Sequence, residues 1–389
     1  MSMNESRKQQ LDGMLQQRGA GAFLFWRPDE LVLTLGYLPH WGISFLLYPR
    51  DGEPVLFVPE LEPEDILPAG IAVHTFPWGV LDGPDPWEEL YAGIRGVLKV
   101  RGLHRLPLSF TKDIGRSAPC RMAGEQAPLP PGLCDRLSLL CLGGYIETDT
   151  ESLYTVKTPQ DIAALEVTHR VATLAVRTFY RNLQPGKTEA AVAAAVEAAV
   201  QEATGSEGVD YAKAWGLVQS GINTAAAGRF NRSTGKALAA GEGVLLELSI
   251  CINGYWADIT RVGQTGQLPP VHKKIVDIVA EAQAAAIESM RPGVAMEVID
   301  ERARRVIRAA GYGDHFAHGL GHHVGFRYHD PGPGLWPGSR ALLRPGMILT
   351  VEPGIYGVDI ACGARIEDNV LVTEDGYRIL SDYYRDLTI

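Results

Sequence analysis

The sequence lacks the cysteine pattern of a secreted protein that is cross-linked by disulfide bonds. Its 389 residues contain five scattered cysteines with no CxxC spacing, Cys120, Cys134, Cys141, Cys251 and Cys362. A disulfide framework is therefore excluded, and a reducing cytoplasm is the expected location. The polar first segment, Met1–Gln10, is followed by no apolar signal-peptide region, which leads to the same expectation.

An excess of basic charge and a long apolar run are also missing. Lysine and arginine total 36 against 46 aspartates and glutamates, so the formal net charge is -10. This balance argues against non-specific binding to nucleic acid or to an anionic membrane surface. No run approaches the roughly 18 apolar residues of a membrane span. The length instead allows two soluble domains with substantial cores.

The first 150 residues alternate short apolar runs with turn residues. We expect a helix within residues 1–20, a second helix near Trp87–Arg101 and a Pro-rich loop at Ala127–Gly132. Apolar runs bounded by Gly, Pro and Asp predict strands. These strands are expected at Ala22–Trp26, Leu31–Leu35, Ile43–Tyr48, Pro54–Pro59 and Leu106–Ser109. Residues 1–150 are thus predicted to form a small α/β domain with a structural or dimerising role.

Residues 151–389 show one helical pattern twice, beyond the polar stretch Glu147–Glu151. Thr158 can cap a helix that has Pro159 in its first turn and Asp161 in capping-box position. Each copy has a helix, a Pro-Gly break (residues 185–186 and 292–293), a second helix and a terminating glycine. Strand-like segments follow both copies. The sequence therefore predicts an internally duplicated α+β domain.

A β-hairpin is predicted between the two copies. Asn253-Gly254 lies between two apolar, β-rich runs, and Asn-Gly in that setting is the strongest short hairpin signal. If these residues form the turn, Ser249 faces Asp258, and Glu247 becomes the diagonal neighbour of Asp258 on the same face. Diagonal pairs lie about 7–8 Å apart at the backbone, so both carboxylates could reach one ion.

Further carboxylates and a histidine interrupt apolar segments near the end of the chain. Buried carboxylates are costly unless they are paired or bind a metal. Singly, each is more simply explained by a salt bridge, but together they predict a metal site: Glu247, Asp258, His322, Glu352 and Glu367. Two divalent cations would balance the four negative charges. The oxygen-rich donor set suits manganese, and zinc, cobalt or iron could also fit. Such a pair can promote hydrolysis.

Five segments carry a family resemblance: Asp258-Ile-Thr-Arg261, His318-Gly-Leu-Gly-His322, His329-Asp330, Val351-Glu-Pro-Gly-Ile-Tyr356 and Arg365-Ile-Glu-Asp-Asn369. In this order they closely resemble the pita-bread metallopeptidases, and more narrowly the aminopeptidase P and prolidase branch, to which creatinase is a metal-free relative. The resemblance spans Thr158 to the C-terminus. It implies a pita-bread fold over residues 151–389, a homodimer, and hydrolysis of the N-terminal bond of short peptides or dipeptides, with proline after that bond, by a metal-bound hydroxide.

The resemblance also implies a role for each matching residue. Asp258 and Glu367 would bridge two metal ions, His322 and Glu352 would complete the first site, and Glu247 would belong to the second. Glu352 would exchange a proton with the bound water. His318 and His329 would line the substrate pocket and act on the scissile carbonyl. Arg365 and Tyr356 would support the ligands.

Two departures from the family pattern alter these expectations. The family has aspartate where this chain has Glu247, and a small residue and glycine where Leu248 and Ser249 stand, so a tight first metal and a weak or absent second metal are expected. A pocket histidine is also missing, because none occurs between His169 and His272. Arg229 or Asn231 could contact a substrate carboxylate instead, although an exposed loop charge explains Arg229 equally well.

Two other functions stay open at this stage. The departures at Glu247 and near Gly228 are compatible with a hydrolase or lyase of a small non-peptide compound on the same fold. A non-catalytic binding protein is disfavoured, because every ligand position keeps a carboxylate or a histidine. The missing histidine also disfavours creatine hydrolysis, for which creatinase uses that residue as its base.

Overall fold

The computed structural model describes residues 3–41, 43–78, 83–111, 132–226 and 232–381. Its contacts divide the chain into two compact units, Met1–Leu153 and Tyr154–Ile389. Both units combine helices with strands. Within the described ranges, none of the helices has the length and apolar character required to cross a bilayer.

The first unit is built on one mixed six-stranded sheet. Its elements are α1 (Glu5–Arg18), β1 (Ala22–Phe25), α2 (Pro28–Leu35), β2 (Phe45–Pro49), β3 (Val55–Pro59), β4 (Ala72–Phe76), α3 (Pro86–Val100), β5 (Leu108–Phe110), α4 (Leu133–Ser138), β6 (Tyr145–Glu147) and the start of α5 (Glu151–Thr155). The strand order is β4-β3-β2-β1-β5-β6. Leu90, Ile94 and Leu98 of α3 belong to the apolar core that also contains buried side chains of β1, β2 and β3.

The strand predicted at Leu31–Leu35 is wrong, because these residues form the last turns of helix α2. Pro28 occupies the first helical turn, and the Glu30 carboxylate accepts hydrogen bonds from the backbone N–H groups of Trp26 and Arg27. Gly36 ends the helix with a left-handed φ of 65°. The Leu-Val-Leu-Thr-Leu run looks strand-like only because the helix is buried on nearly every side.

The second unit contains the predicted duplication. Its elements are α6 (Pro159–Arg181), α7 (Glu189–Gln201), β7 (Ala212–Ser220), β8 (Gly243–Ile252), β9 (Tyr255–Gln264), α8 (Pro270–Ile287), α9 (Met296–Ala309), β10 (Ile348–Val351), β11 (Gly354–Gly357), β12 (Cys362–Arg365), β13 (Asp368–Val372) and β14 (Tyr377–Ile379). Each copy has two helices followed by antiparallel strands. The sheets have the orders β7-β8-β9, β10-β13-β14 and β11-β12. The predicted mixture of helices and antiparallel strands is present in this unit.

Helix α6 begins as its capping signals predict. The Thr158 hydroxyl accepts a hydrogen bond from the Asp161 backbone N–H, and the Asp161 carboxylate accepts one from the Thr158 N–H. Residues of α6 and α7 form one apolar core with β7, β8 and β9, while α8 and α9 form another with the later strands. These cores hold the two sheets that carry the candidate site.

The predicted hairpin register is confirmed. Ser249 pairs with Asp258, Ile252 pairs with Tyr255, and Glu247 pairs with Thr260. Because side chains alternate along a strand, Glu247, Ser249, Asp258 and Thr260 share one face of the sheet. The opposite face, which includes Leu246, enters the apolar core with α6 and α7.

Candidate metal centre

Backbone contacts bring the end of the chain to the hairpin. The Glu367 N–H donates to the Thr260 carbonyl at 3.1 Å, so the residue between β12 and β13 lies beside β9. The side-chain amide of Asn369 donates to the Asp258 carbonyl at 2.6 Å and its amide oxygen accepts from the Asp258 N–H. These contacts place the Glu367 carboxylate next to Asp258, although the two residues are more than one hundred positions apart.

His322 and Glu352 come from two neighbouring segments. The Thr350 N–H donates to the His322 carbonyl at 2.8 Å, and the Glu352 N–H donates to the Leu320 carbonyl at 2.8 Å. The Thr350 hydroxyl accepts a hydrogen bond from the His322 N–H at 3.0 Å. The histidine segment therefore lies along β10, with both ligand-type side chains at one end.

Gly321 makes this close approach possible. A Cβ atom at this position would collide with the backbone oxygen of Thr350. We expect Gly321→Ala to destabilise the fold by about 1–3 kcal/mol, as overpacking does, and to weaken metal binding by displacing His322. Thermal unfolding with and without metal measures both effects.

Gly96→Ala is the matched control for that substitution. Gly96 is exposed within α3, and the space that a Cβ atom would occupy there is open. Alanine in a helix interior should stabilise the protein by up to about 1 kcal/mol relative to glycine. Equal behaviour of the two variants would show that the Gly321–Thr350 approach is not tight.

All five predicted metal ligands converge in the structure. Their donor atoms form three overlapping groups within which all atoms lie within 4.8 Å of one another: Glu247, Asp258 and Glu367; His322, Glu352 and Glu367; and Asp258, His322 and His329. Asp258, Glu367 and His322 each belong to two groups. Asp258 and Glu367 are almost fully buried.

This donor set fits divalent metal ions. Four carboxylates held this close repel one another unless cations or protons neutralise them. Arg365 supplies one positive charge, which leaves a net negative charge on the four carboxylates. These carboxylates and the His322 imidazole converge on one another. Oxygen donors with one nitrogen suit manganese, zinc or related ions. Glu247, Asp258, His322, Glu352 and Glu367 are therefore the residues that would hold the metal.

The His322 ring is oriented for coordination. Its Nδ1 lies 3.0 Å from the His323 carbonyl oxygen. A carbonyl only accepts hydrogen bonds, so Nδ1 carries a proton, and in the neutral ring Nε2 then presents its lone pair. Nε2 lies 3.4 Å from Glu352 Oε1 and 4.0 Å from Asp258 Oδ2. A hydrogen bond on the far nitrogen is the usual way in which proteins orient a histidine ligand.

The carboxylate of Glu247 is shared between the cluster and a cation. Its Oε2 is in direct contact with Nη2 of Arg365. Nε–H of Arg365 donates to the Thr260 hydroxyl at 2.8 Å, and that hydroxyl oxygen lies 3.0 Å from Glu247 and 2.7 Å from Glu367. Arg365 therefore contacts Glu247, Glu352 and Thr260 at one side of the cluster, and its supporting role stays a prediction.

Two hydroxyl groups of the centre were missed in the sequence. Thr260 lies between Glu247 and Glu367, and the Ser249 hydroxyl donates to Asp258 Oδ1 at 3.2 Å. The hairpin register contained the signal for both, because it places Thr260 opposite Glu247 and Ser249 opposite Asp258. Both hydroxyl groups hold neighbouring carboxylates in place by hydrogen bonding.

His318 is connected to the cluster through Tyr356 and Arg365. Its Nδ1 donates to the Gly319 carbonyl at 2.8 Å, so Nε2 accepts from the Tyr356 hydroxyl at 3.2 Å. Burial, aided by the nearby Arg304 charge, lowers the pKa of His318 and keeps the ring neutral. Burial and the charges of Glu352 and Glu367 hold the pKa of Tyr356 well above its usual value. Tyr356 therefore remains a hydrogen-bond donor at neutral pH.

His329 lies directly beside two of the predicted metal ligands, His322 and Asp258. Its ring is 3.8 Å from the His322 ring, and its Nε2 is 3.9 Å from Asp258 Oδ2. About a third of its side chain is exposed, at 32%. Arg229, the other predicted substrate contact, lies outside the described residues, as does Asn231.

The fold and the donor cluster together define a metallohydrolase. Comparison with known proteins identifies the family within this class. The pattern of Metallopeptidase family M24 matches residues 163–374. A putative dipeptidase of Bacillus subtilis, YkvY, is 31% identical over 388 residues, with 99% of each chain covered. An Xaa-Pro dipeptidase of Lactobacillus helveticus is 30% identical over 364 residues, with 93% of each chain covered. The prolidase of Pyrococcus horikoshii OT3 superposes with a TM-score of 0.78 at 26% identity, covering 98% of this chain and 100% of its own.

The chain belongs to metallopeptidase family M24. The predicted family, the mixed α and β architecture and the metallopeptidase activity are confirmed. Divalent metals serve this family, and the carboxylate–histidine cluster offers them a binding place.

Proposed function

We propose that this metallopeptidase hydrolyses dipeptides with proline after the scissile bond. One observation carries the proposal: four carboxylates and His322 converge beside a partly exposed histidine, His329. The names of two relatives, Xaa-Pro dipeptidase and prolidase, support the choice of substrate.

The chemistry divides among the residues of the centre. Bound divalent ions supply Lewis-acid activation of a water molecule and of the peptide carbonyl. Glu352 takes a proton from the attacking water and passes it to the leaving amine, because it is the more exposed carboxylate of the cluster and lies at its open side. His329 faces the same opening and donates a hydrogen bond to the scissile carbonyl.

Tyr356, His318 and Arg365 form a supporting chain in this proposal. Arg365 donates to the Tyr356 hydroxyl at 3.2 Å, and Tyr356 donates to His318. The neutral His318 ring contributes a polar edge to the substrate pocket. Charge on Arg365 stabilises the carboxylates without adding a titratable group, since guanidinium stays protonated.

The position of Glu247 bears on how tightly each of two metal ions would be held. We propose one tightly held ion among His322, Glu352, Asp258 and Glu367, and a weaker second ion that also needs Glu247. The contact between Glu247 and Arg365 supports this difference, because the same carboxylate oxygen cannot serve both cations fully. Manganese is the first choice and zinc the second, with cobalt or iron as further alternatives.

Further proposals concern the whole chain. The catalytic domain is assigned to residues 151–389, and residues 1–150 are assigned a structural and dimerising role, with a homodimer as the assembly. Support comes from the family resemblance and from the three donor groups found among the described residues, which lie in the second unit. A cytoplasmic location is proposed because the five cysteines of the sequence are scattered and show no disulfide-framework spacing.

Proline release tests the substrate assignment. Manganese-loaded protein should release free proline from Leu-Pro, and it should cleave Leu-Ala more slowly. Comparison of Leu-Pro with Leu-Pro-Gly separates a dipeptidase from an aminopeptidase. Turnover of neither peptide with manganese, zinc or cobalt would refute the proposed activity and favour a non-peptide substrate.

A further inference from the structure

A buried ion pair includes Asp330, the residue that follows His329 in the chain. Nζ of Lys157 is 2.9 Å from Oδ2 of Asp330, and both side chains are fully buried. Lys157 also donates to the Tyr154 carbonyl at 2.7 Å and lies over the Phe326 ring at 5.6 Å. A buried pair of this kind is costly to form and contributes little net stability. Its presence next to the site therefore needs another explanation.

Asp330 organises the loop that presents His329. Its Oδ1 accepts hydrogen bonds from the backbone N–H groups of Arg327 at 2.8 Å and Phe326 at 3.2 Å. Its own N–H donates to the His323 carbonyl at 2.9 Å. The carboxylate thus closes the five-residue turn 326–330, and His329 is the residue immediately before it.

Lys157 is fixed by its backbone, and its side chain packs tightly against the loop at Gly325. Its backbone N–H donates to the Gly346 carbonyl at 2.8 Å. A Cβ on Gly325 would lie 2.6 Å from Cε of Lys157, and Gly325 has a φ of 149°, so both space and backbone favour glycine there. The Gly325 carbonyl accepts from the Trp256 N–H at 2.6 Å, which anchors the loop to β9 near Asp258.

We propose that Lys157 and Asp330 are a positioning pair that fixes the His329 imidazole beside Asp258 and His322. Lys157 contacts Asp330, the Tyr154 carbonyl and the Phe326 ring. It acts through Asp330, whose carboxylate shapes the turn, and through the packing of its side chain against Gly325. The inference rests on the proposed function for the role of His329 in turnover.

The activity test is a double-mutant cycle. Lys157→Met should lower kcat for Leu-Pro by about tenfold or more, since misplacing a catalytic group by about 1 Å can cost a hundredfold, and it should change KM by less than about threefold. In a His329→Ala background the same substitution should have little further effect, because residues that act as one unit are not additive. Equal fold losses in both backgrounds would overturn the proposal.

A rescue variant separates positioning from folding. Lys157→Met leaves the Asp330 charge buried and uncompensated, which can unfold the protein. Lys157→Met/Asp330→Asn removes that charge while the amide oxygen still accepts from the loop N–H groups, so this variant should fold and regain most of kcat. Failure to regain kcat in a folded double variant would contradict the role assigned to the loop. Lys273→Met, which breaks the exposed Lys273–Asp277 pair, is the matched control and should leave kcat unchanged.

A structural readout is independent of activity. Crystals of Lys157→Met, or of a Lys157→Met/Asp330→Leu variant if the single variant does not fold, should show His329 displaced from its 3.9 Å approach to Asp258. An unchanged His329 position in either variant would overturn the positioning role. If the wild-type protein cleaves no peptide, the proposed function fails, and this comparison still decides the inference.

Discussion

Replacing Glu367 with glutamine is expected to lower kcat/KM for Leu-Pro by at least about 1,000-fold, which corresponds to about 4 kcal/mol of transition-state stabilisation. Glu367 belongs to two of the three donor groups, so its carboxylate serves both proposed metal positions. A neutral amide supplies no negative charge with which to balance divalent cations. Metal content, measured by inductively coupled plasma mass spectrometry after dialysis, should fall together with activity.

Glu197→Gln is the control for the Glu367 variant. Glu197 accepts a hydrogen bond from the Gly216 N–H at 3.1 Å, and it lies on α7, which packs on the opposite side of the sheet. Burial raises the pKa of Glu197, so loss of its charge should be tolerated. Its metal content and activity should match the wild type. Wild-type metal content in Glu367→Gln would show that the cluster is not the metal site.

Replacing Glu247 with aspartate is expected to tighten the second metal ion by roughly tenfold, the lower end of the effect that changes around metal ligands produce. The shorter side chain withdraws the carboxylate from Arg365 while it still faces Asp258 and Glu367. Isothermal titration with manganese should then show a second binding event at lower metal concentration. The affinity of the first event should change little, because its ligands are untouched.

Glu242→Asp is the matched control for this substitution. Glu242 forms an ion pair with Lys236 at 2.6 Å outside the cluster, so the same loss of a methylene should not alter metal titration. A weaker second event in Glu247→Asp would contradict the competition between Arg365 and the metal. Unchanged binding would show that Glu247 does not contribute to the second position at all.

Local signals in the sequence were sufficient for the hairpin and for most helices. Asn253-Gly254 determined the register of β8 and β9, and Thr158 with Asp161 determined the start of α6. The error at Leu31–Leu35 has a physical cause. A helix that is buried on almost all sides loses its polar face, so periodicity cannot distinguish it from a strand. Pro28 in the first turn, Glu30 and the terminating Gly36 were the better guide.

The candidate site was predictable as a set of residue types but not as a geometry. Buried carboxylates on the hairpin and near the C-terminus indicated a metal cluster, and the structure brings all five side chains together. Their shared contacts were not visible, because the Glu247–Arg365 and Lys157–Asp330 pairs join segments more than one hundred residues apart. No short-range pattern encodes such pairs. They depend on how the two halves of the duplicated unit meet.

Anomalous diffraction from crystals soaked in manganese tests the proposed metal centre most directly. We expect a strong peak bounded by His322, Glu352, Asp258 and Glu367, and a weaker peak on the side of Glu247. The weaker peak should strengthen in Glu247→Asp. Ordered protein with no anomalous peak within coordination distance of His322 and Glu367 would contradict the assignment of these residues as metal ligands.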